Sequence, residues 1–222
     1  MKSSVVPARD ALARLREGND RFVADRRGGT SVGATRRTEL VNGQAPFAIV
    51  LGCSDSRVPA EIVFDQGLGD LFVIRVAGNV VSPSQVGSVE FAAERFGTRL
   101  VVVLGHSMCG AITATLEELV RPSEHRSPNL RAIVDRVRPA VEELLAREGG
   151  CIGEDLVRRA VRANIRASVG HLSHGSEILE GLIAREELVV VGAEYSLETG
   201  VVHFLDEAEP PWSARSRSPT SR

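Results

Sequence analysis

The chain has 222 residues, of which 43% are hydrophobic and 25% charged, so it has the composition of a globular protein with one large or two small domains. Its formal net charge of −2 favours neither nucleic acid nor an anionic membrane as a partner. The sequence contains no apolar segment long enough for a signal peptide or a membrane span, and its three cysteines argue against a disulfide framework. We therefore expect a cytoplasmic protein without a membrane partner.

The N-terminal part of the chain is predicted to be helical. From Ala8 to about Asp25, apolar residues recur at the spacing of one helix face. After a glycine-containing loop, Thr35–Asn42 is expected to form a second short helix that ends at Gly43. These segments predict an N-terminal helical extension.

Four apolar runs rich in β-branched residues are typical of strands buried on both faces of a sheet. They are Phe47–Gly52, Asp70–Gly78, Arg99–His106 and Glu187–Tyr195. Segments with helical character lie between them, namely Pro83–Phe96, Gly110–Val120 and a long region from Pro128 to Arg185. This alternation predicts an α/β fold with a central, mostly parallel sheet flanked by helices.

The C-terminal part adds one strand and a tail. Gly200–Asp206 follows the fourth strand too closely for a crossover connection, so it is predicted to pair antiparallel at the edge of the sheet. Residues 1–206 are expected to form a single domain. Residues 207–222 are rich in Pro, Ser and Arg and are expected to form a flexible tail.

Potential metal ligands follow two of the predicted strands. Cys53 comes directly after the first strand, His106 ends the third, and Cys109 comes three residues later. Sites in parallel sheets form at the carboxyl ends of strands, so these side chains converge if the two strands are neighbours. Two cysteines and a histidine suit zinc, and three protein ligands leave one tetrahedral position open, as in catalytic sites. A His-x-x-Cys pair alone would more often be a turn histidine and a buried cysteine, but Cys53 favours the metal site.

Other roles for Cys53 are less favoured. The chain lacks the Cys-x5-Arg loop of phosphatases and the Cys-x-x-Cys motif of thioredoxins. A disulfide with Cys109 is feasible on geometry but disfavoured in a reducing compartment. Asp55 and Arg57 lie in the same turn, where the carboxylate either pairs with the guanidinium, moves onto the metal, or merely stabilises the turn.

Four segments resemble the β-class carbonic anhydrases: "GCSDSRVPAE", "FDQGLGDLFVIRVAGN", "GSVEFA" and "VVVLGHSMCGA". The resemblance extends roughly from Ala8 to Leu205. It implies zinc-dependent, reversible hydration of carbon dioxide to bicarbonate and a proton by attack of a zinc-bound hydroxide. It also implies one zinc ion per subunit and assembly into a homodimer or homotetramer. Two alternatives stay open: a carbon disulfide or carbonyl sulfide hydrolase on the same fold, and a non-catalytic zinc-binding module.

The resemblance assigns roles to the residues of the metal site. It implies that Cys53, His106 and Cys109 hold the zinc and that Asp55 and Arg57 form a catalytic pair. In closed forms of such enzymes the aspartate is the fourth zinc ligand, so Asp55 is also a possible ligand here.

The resemblance further implies four substrate-binding residues: Gln44, Phe72, Ala77 and Gly110. The chain differs from some bacterial members at Val50, where those members carry a tryptophan that helps to bind inhibitory bicarbonate. This departure argues against a bicarbonate pocket of that kind, although Arg75 matches its arginine.

Overall fold

The structure is a computed structural model and describes residues 5–26, 28, 32–123 and 127–205. The helices are α1 (Ala8–Val23), α2 (Ala34–Leu40), α3 (Ala60–Val63), α4 (Pro83–Phe96), α5 (Gly110–Val120), α6 (Pro128–Arg147), α7 (Glu154–His174) and α8 (Glu177–Ala184). The strands are β1 (Ala48–Gly52), β2 (Leu71–Arg75), β3 (Leu100–His106), β4 (Val189–Tyr195) and β5 (Val202–Leu205). A 3₁₀ helix over Ala77–Asn79 is named the 3₁₀ turn. None of the helices in this part of the chain is both long and apolar enough to cross a membrane.

The five strands form one sheet in the order β2-β1-β3-β4-β5. Strands β1 to β4 are parallel, and β5 pairs antiparallel with β4 at the edge. The predicted fold class is therefore confirmed, including the antiparallel edge strand and the N-terminal helices. The tail predicted over 207–222 lies outside the described residues.

The long helical region predicted from Pro128 to Arg185 is three helices. Gly149 and Gly150 follow α6 with φ angles of 59° and 80°, in the left-handed region that glycine adopts most readily, and so end that helix. Ser176 begins the last helix by accepting a hydrogen bond on its side chain from the Leu179 amide. The short α3 and the 3₁₀ turn were not predicted, because single turns carry too few residues for a periodic pattern.

Residues of β1 alternate between two apolar cores. Ile49, Leu51 and Cys53 belong to the core formed with α4 to α8, whereas Ala48 and Val50 belong to the core formed with α1 and α3. This alternation follows from the two-residue period of a strand. Cys53 therefore continues the β1 face that packs against α4 to α8, and that face carries the candidate site.

Close packing of α1 predicts opposite effects for alanine at two helical glycines. A Cβ atom at Gly18 would lie 1.8 Å from the Phe64 carbonyl oxygen, whereas one at Gly170 in α7 would meet nothing within 4 Å. We expect Gly18→Ala to lower the free energy of unfolding by about 3 kcal/mol. As the control, Gly170→Ala should raise it by about 0.5 kcal/mol, because alanine loses less backbone entropy. Urea denaturation measures both, and a Gly18→Ala variant of unchanged stability would contradict the packing.

Candidate active site

The side chains of Cys53, His106 and Cys109 meet at the carboxyl end of the sheet. Cys53 follows β1, His106 is the last residue of β3, and β1 and β3 are neighbours, with Gly52 opposite Leu104. Cys109 lies just before α5. The two sulfur atoms are 4.0 Å apart, and the ligand atoms of all three residues lie within 4.8 Å of one another. All three residues are buried, so this is an enclosed cluster of soft ligands.

The chemistry of this donor set fits a zinc ion. Two thiolates bound tetrahedrally to zinc at about 2.3 Å would lie about 3.8 Å apart, close to the observed separation of the sulfurs. His106 Nε2 is buried and has no hydrogen-bond partner among the described residues, which is costly for a polar atom unless something else occupies it. His106 Nδ1 lies 2.9 Å from the Ser107 carbonyl oxygen, so Nδ1 donates there and the Nε2 lone pair is left for a metal.

The two thiols are close enough to form a hydrogen bond. The hydrogen bond from the Cys109 thiol lowers the pKa of Cys53, and the same contact together with burial raises the pKa of Cys109. The amide of Gly78 in the 3₁₀ turn donates a further hydrogen bond to Cys53 Sγ at 3.4 Å. A cation bound between the sulfurs would stabilise both as thiolates, because metal binding displaces the thiol protons.

Asp55 lies at the rim of the cluster and pairs with Arg57. The guanidinium contacts both carboxylate oxygens, at 2.9 and 2.7 Å, and the Arg57 amide donates to Oδ1 at 3.0 Å. These hydrogen bonds hold the pKa of Asp55 well below its usual range, so the carboxylate stays charged at neutral pH. Asp55 Oδ2 is 3.8 Å from His106 Nε2. Of the two arrangements expected near a metal, the structure has the one in which Asp55 faces Arg57.

Arg75 holds the backbone of the loop that carries these groups. Its side chain donates to the Cys53 carbonyl oxygen at 3.0 Å and to the Asp55 carbonyl oxygen at 2.6 Å. It ends β2, where its backbone lies opposite Gly52 of β1. The sequence singled out Arg75 only for a bicarbonate pocket. Its position at the carboxyl end of a predicted strand was the signal that could have indicated this supporting contact.

Two of the predicted substrate residues lie close to the cluster. Ala77 is half-buried in the 3₁₀ turn and directly precedes Gly78, whose amide contacts the Cys53 sulfur. Gly110 directly follows Cys109 and is the exposed first residue of α5. The amide of a first helical residue has no partner within its helix, so Gly110 can donate to a ligand.

The other two predicted substrate residues lie farther away. Phe72 is three residues before Arg75 on β2, about 10 Å along the strand, and its ring packs against those of Phe91 and Phe96. Gln44 is exposed and precedes β1, whereas Cys53 follows it, so at least about 16 Å of strand separates them. Within one chain, Gln44 does not reach the cluster.

Known proteins are similar to this chain in fold and in sequence. A family model described as carbonic anhydrase matches residues 48–202. Carbonic anhydrase 2 of Mycobacterium tuberculosis is 40% identical over 84% of this chain and 87% of its own length. The chain belongs to the carbonic anhydrase family.

Solved structures place it in the β class of that family. The β-carbonic anhydrase CcaA superimposes with a TM-score of 0.71 at 27% identity, over 88% of this chain and 95% of that one. A structure from the ascomycete Sordaria macrospora, described as a tetrameric β-carbonic anhydrase, gives a TM-score of 0.67 at 25% identity, over 77% and 85%. The β-class resemblance inferred from the sequence is therefore confirmed. In this β-carbonic anhydrase Val50 is fully buried in the apolar core beside α1.

Proposed function

We propose that the protein catalyses reversible hydration of carbon dioxide to bicarbonate and a proton, with one zinc ion per chain held by Cys53, His106 and Cys109. One observation carries this proposal: a buried Cys₂His cluster with an unpartnered imidazole nitrogen lies beside a carboxylate fixed by an arginine. Membership of the carbonic anhydrase family supports the reaction type.

Zinc bound there supplies Lewis acidity, which lowers the pKa of water toward neutrality and so provides a nucleophile. The protein positions that water. Asp55 accepts its hydrogen bond, which turns the oxygen lone pair toward the carbon of the substrate. Arg57 keeps the carboxylate charged and fixed, because two parallel hydrogen bonds define its plane. The water oxygen bonds to the carbon of carbon dioxide, and the proton passes to solvent.

The substrate is proposed to sit between Ala77 and Gly110. The Ala77 methyl group offers an apolar contact to uncharged carbon dioxide, and the Gly110 amide offers a hydrogen bond to the oxygen on which negative charge develops. Phe72 is proposed to form the more distant apolar wall. These assignments agree with the closeness of Ala77 and Gly110 to the cysteines.

We propose that the protein is a homodimer or homotetramer. Gln44 lies near the amino-terminal end of β1, whereas the cluster of the same chain lies at the carboxyl ends of the strands. Gln44 can therefore serve as a substrate residue only through a second copy. The outer edge of β2 has no strand partner among the described residues, and Phe91 beside it is 54% exposed on an aromatic cluster. Exposed edges and aromatic patches of this kind are suited to association. The tetrameric relative supports the same view.

The oligomer is tested by Phe91→Asp. We expect the native protein to have two or four times the 23.8 kDa mass of the chain in light scattering, and the variant to be a monomer, because a buried charge disfavours the interface. Leu130→Asp, at a residue of similar exposure on α6, is the control and should keep the native mass. A monomeric native protein would contradict the proposal.

Zinc removal tests the function itself. We expect about one zinc per purified chain, and stopped-flow hydration of carbon dioxide that disappears on chelation and returns with added zinc. Carbon disulfide and carbonyl sulfide are assayed on the same samples. Turnover of either without hydration would favour the alternative hydrolase, and bound zinc without any turnover would favour a non-catalytic module.

Two properties inferred from the sequence stay predictions. One is the division into a single domain over residues 1–206 and a tail over 207–222. The other is the cytoplasmic location.

A further inference from the structure

The 3₁₀ turn beside the metal cluster has an unusual backbone. Gly78 and Asn79 have φ angles of 68° and 44°, in the left-handed region. A Cβ atom at Gly78 would lie 3.2 Å from that of Ala111. This conformation directs the Gly78 amide at Cys53 Sγ, 3.4 Å away. Glycine adopts this region without steric cost, but Asn79 carries a side chain that disfavours it, so the surrounding structure must hold Asn79 in place.

The turn is held by two side chains of α7. Asn164 Nδ2 donates to the Gly78 carbonyl oxygen at 2.8 Å, and Ser168 Oγ donates to the Asn79 carbonyl oxygen at 3.0 Å. Asn164 and Ser168 are 2% and 5% exposed and are four residues apart, on one face of the helix. They fix the two peptide groups that follow the Gly78 amide.

The same part of α7 also packs against the strand that carries His106. A Cβ atom at Gly105 would lie 2.5 Å from Ile165 Cδ1, so glycine allows the helix to approach β3 next to the histidine. Gly192 on β4 likewise leaves room for this side chain, because a Cβ atom at Gly192 would lie 2.8 Å from Ile165 Cγ2. This packing sets the distance of α7 from the sheet and thereby the reach of Asn164 and Ser168.

We propose that Asn164 and Ser168 are positioning residues of the metal centre, which hold the 3₁₀ turn so that the Gly78 amide hydrogen-bonds the Cys53 sulfur. This inference rests on the proposed zinc site. The hydrogen bond fixes the sulfur and draws electron density from it. Cys53 thereby becomes a weaker electron donor, and the metal a stronger Lewis acid. Both hydrogen bonds go to backbone carbonyl groups of the turn, so the effect of the two residues passes through its backbone.

The test compares Asn164→Ala and Ser168→Ala with variants that remove similar bonds elsewhere. Asn19→Ala removes a buried asparagine whose Nδ2 donates to the Val63 and Gly200 carbonyl oxygens. Thr98→Val removes a buried hydroxyl that donates to the Pro46 carbonyl oxygen. Both control residues lie away from the cluster, so any stability lost there should leave the metal centre unchanged.

Two measurements follow the metal centre independently of activity. Zinc affinity is measured by chelator competition, and the thiolate-to-metal charge-transfer band is recorded for the cobalt(II)-substituted protein. For the α7 variants we expect the zinc dissociation constant to rise about tenfold, because losing the fixed position of the Cys53 sulfur outweighs the gain in its donor strength. The cobalt band should move to longer wavelength, because a thiolate without its hydrogen bond is easier to oxidise. Ser168→Thr, which keeps the hydroxyl, should restore both values toward those of the native protein.

The inference is overturned if the α7 variants match Asn19→Ala and Thr98→Val in zinc affinity and cobalt spectrum, since their bonds would then serve stability alone. If Asn164→Ala fails to fold, the zinc affinity and cobalt spectrum of Ser168→Ala and Ser168→Thr test the inference on their own. A native protein that binds no zinc would overturn the proposed function as well, whereas native binding with unaffected variants would overturn only this inference.

Discussion

Replacing Cys53 by serine should remove zinc and hydration activity together. The sulfur is one of the three proposed zinc ligands, and a serine hydroxyl is a poor ligand at neutral pH because it does not ionise. Lewis-acid stabilisation by a metal is worth several kcal/mol, so kcat/KM should fall by about a thousandfold or more. Elemental analysis and stopped-flow hydration on the same sample measure both effects.

Cys151 provides the matched control for this substitution. It is also a free cysteine, but it is exposed and does not belong to the cluster. Cys151→Ser should keep one zinc per chain and full activity. A Cys53→Ser variant with native zinc content and native activity would show that the metal centre lies elsewhere.

Arg57→Leu should lower activity while zinc stays bound. At the cluster Arg57 contacts Asp55, through both carboxylate oxygens and its own amide. Without the guanidinium, the carboxylate loses its fixed orientation, and Oδ2 is free to turn from its position 3.8 Å from His106 Nε2. Correct orientation of a reacting group contributes about a hundredfold or more to rate, so we expect kcat to fall by about that factor.

Arg158 is the control for losing an arginine from an acidic partner. It pairs with Asp155 on α7, and both side chains are more than half exposed. Exposed pairs contribute little to stability, so Arg158→Leu should leave zinc content and kcat unchanged. If Arg57→Leu keeps native kcat but Asp55→Ala does not, Asp55 acts without help from Arg57.

The strands and longer helices of the protein could be read from local sequence. β-Branched apolar runs predicted β1 to β4, and the bounds predicted for α4 and α5 agree with those observed. Short connections fixed the antiparallel direction of β5. The breaks inside the region from Pro128 to Arg185 were missed, because its hydrophobic spacing continues across the glycines that end α6.

The members of the Cys53, His106 and Cys109 cluster could also be named from the sequence, because each marks the end of a strand or the start of a helix. Their convergence could not, because it depends on the placement of β3 beside β1 in the sheet. Gln44 shows the opposite outcome. It is nearer to Cys53 in sequence than His106 is, yet it lies at the opposite end of β1, because an extended strand separates the residues that precede it from those that follow it.

Local sequence was enough to identify the strands, the members of the metal-binding cluster and the Asp55–Arg57 pair, since all of these depend on spacings of a few residues. The groups that surround the cluster could be identified only from the folded structure. Asn164 and Ser168 bind carbonyl groups 86 and 89 residues away, and Arg75 binds the loop 20 and 22 residues before it. Such contacts leave no periodic pattern in the chain, because they arise only when the packing of α7 and β2 against the sheet brings distant groups together.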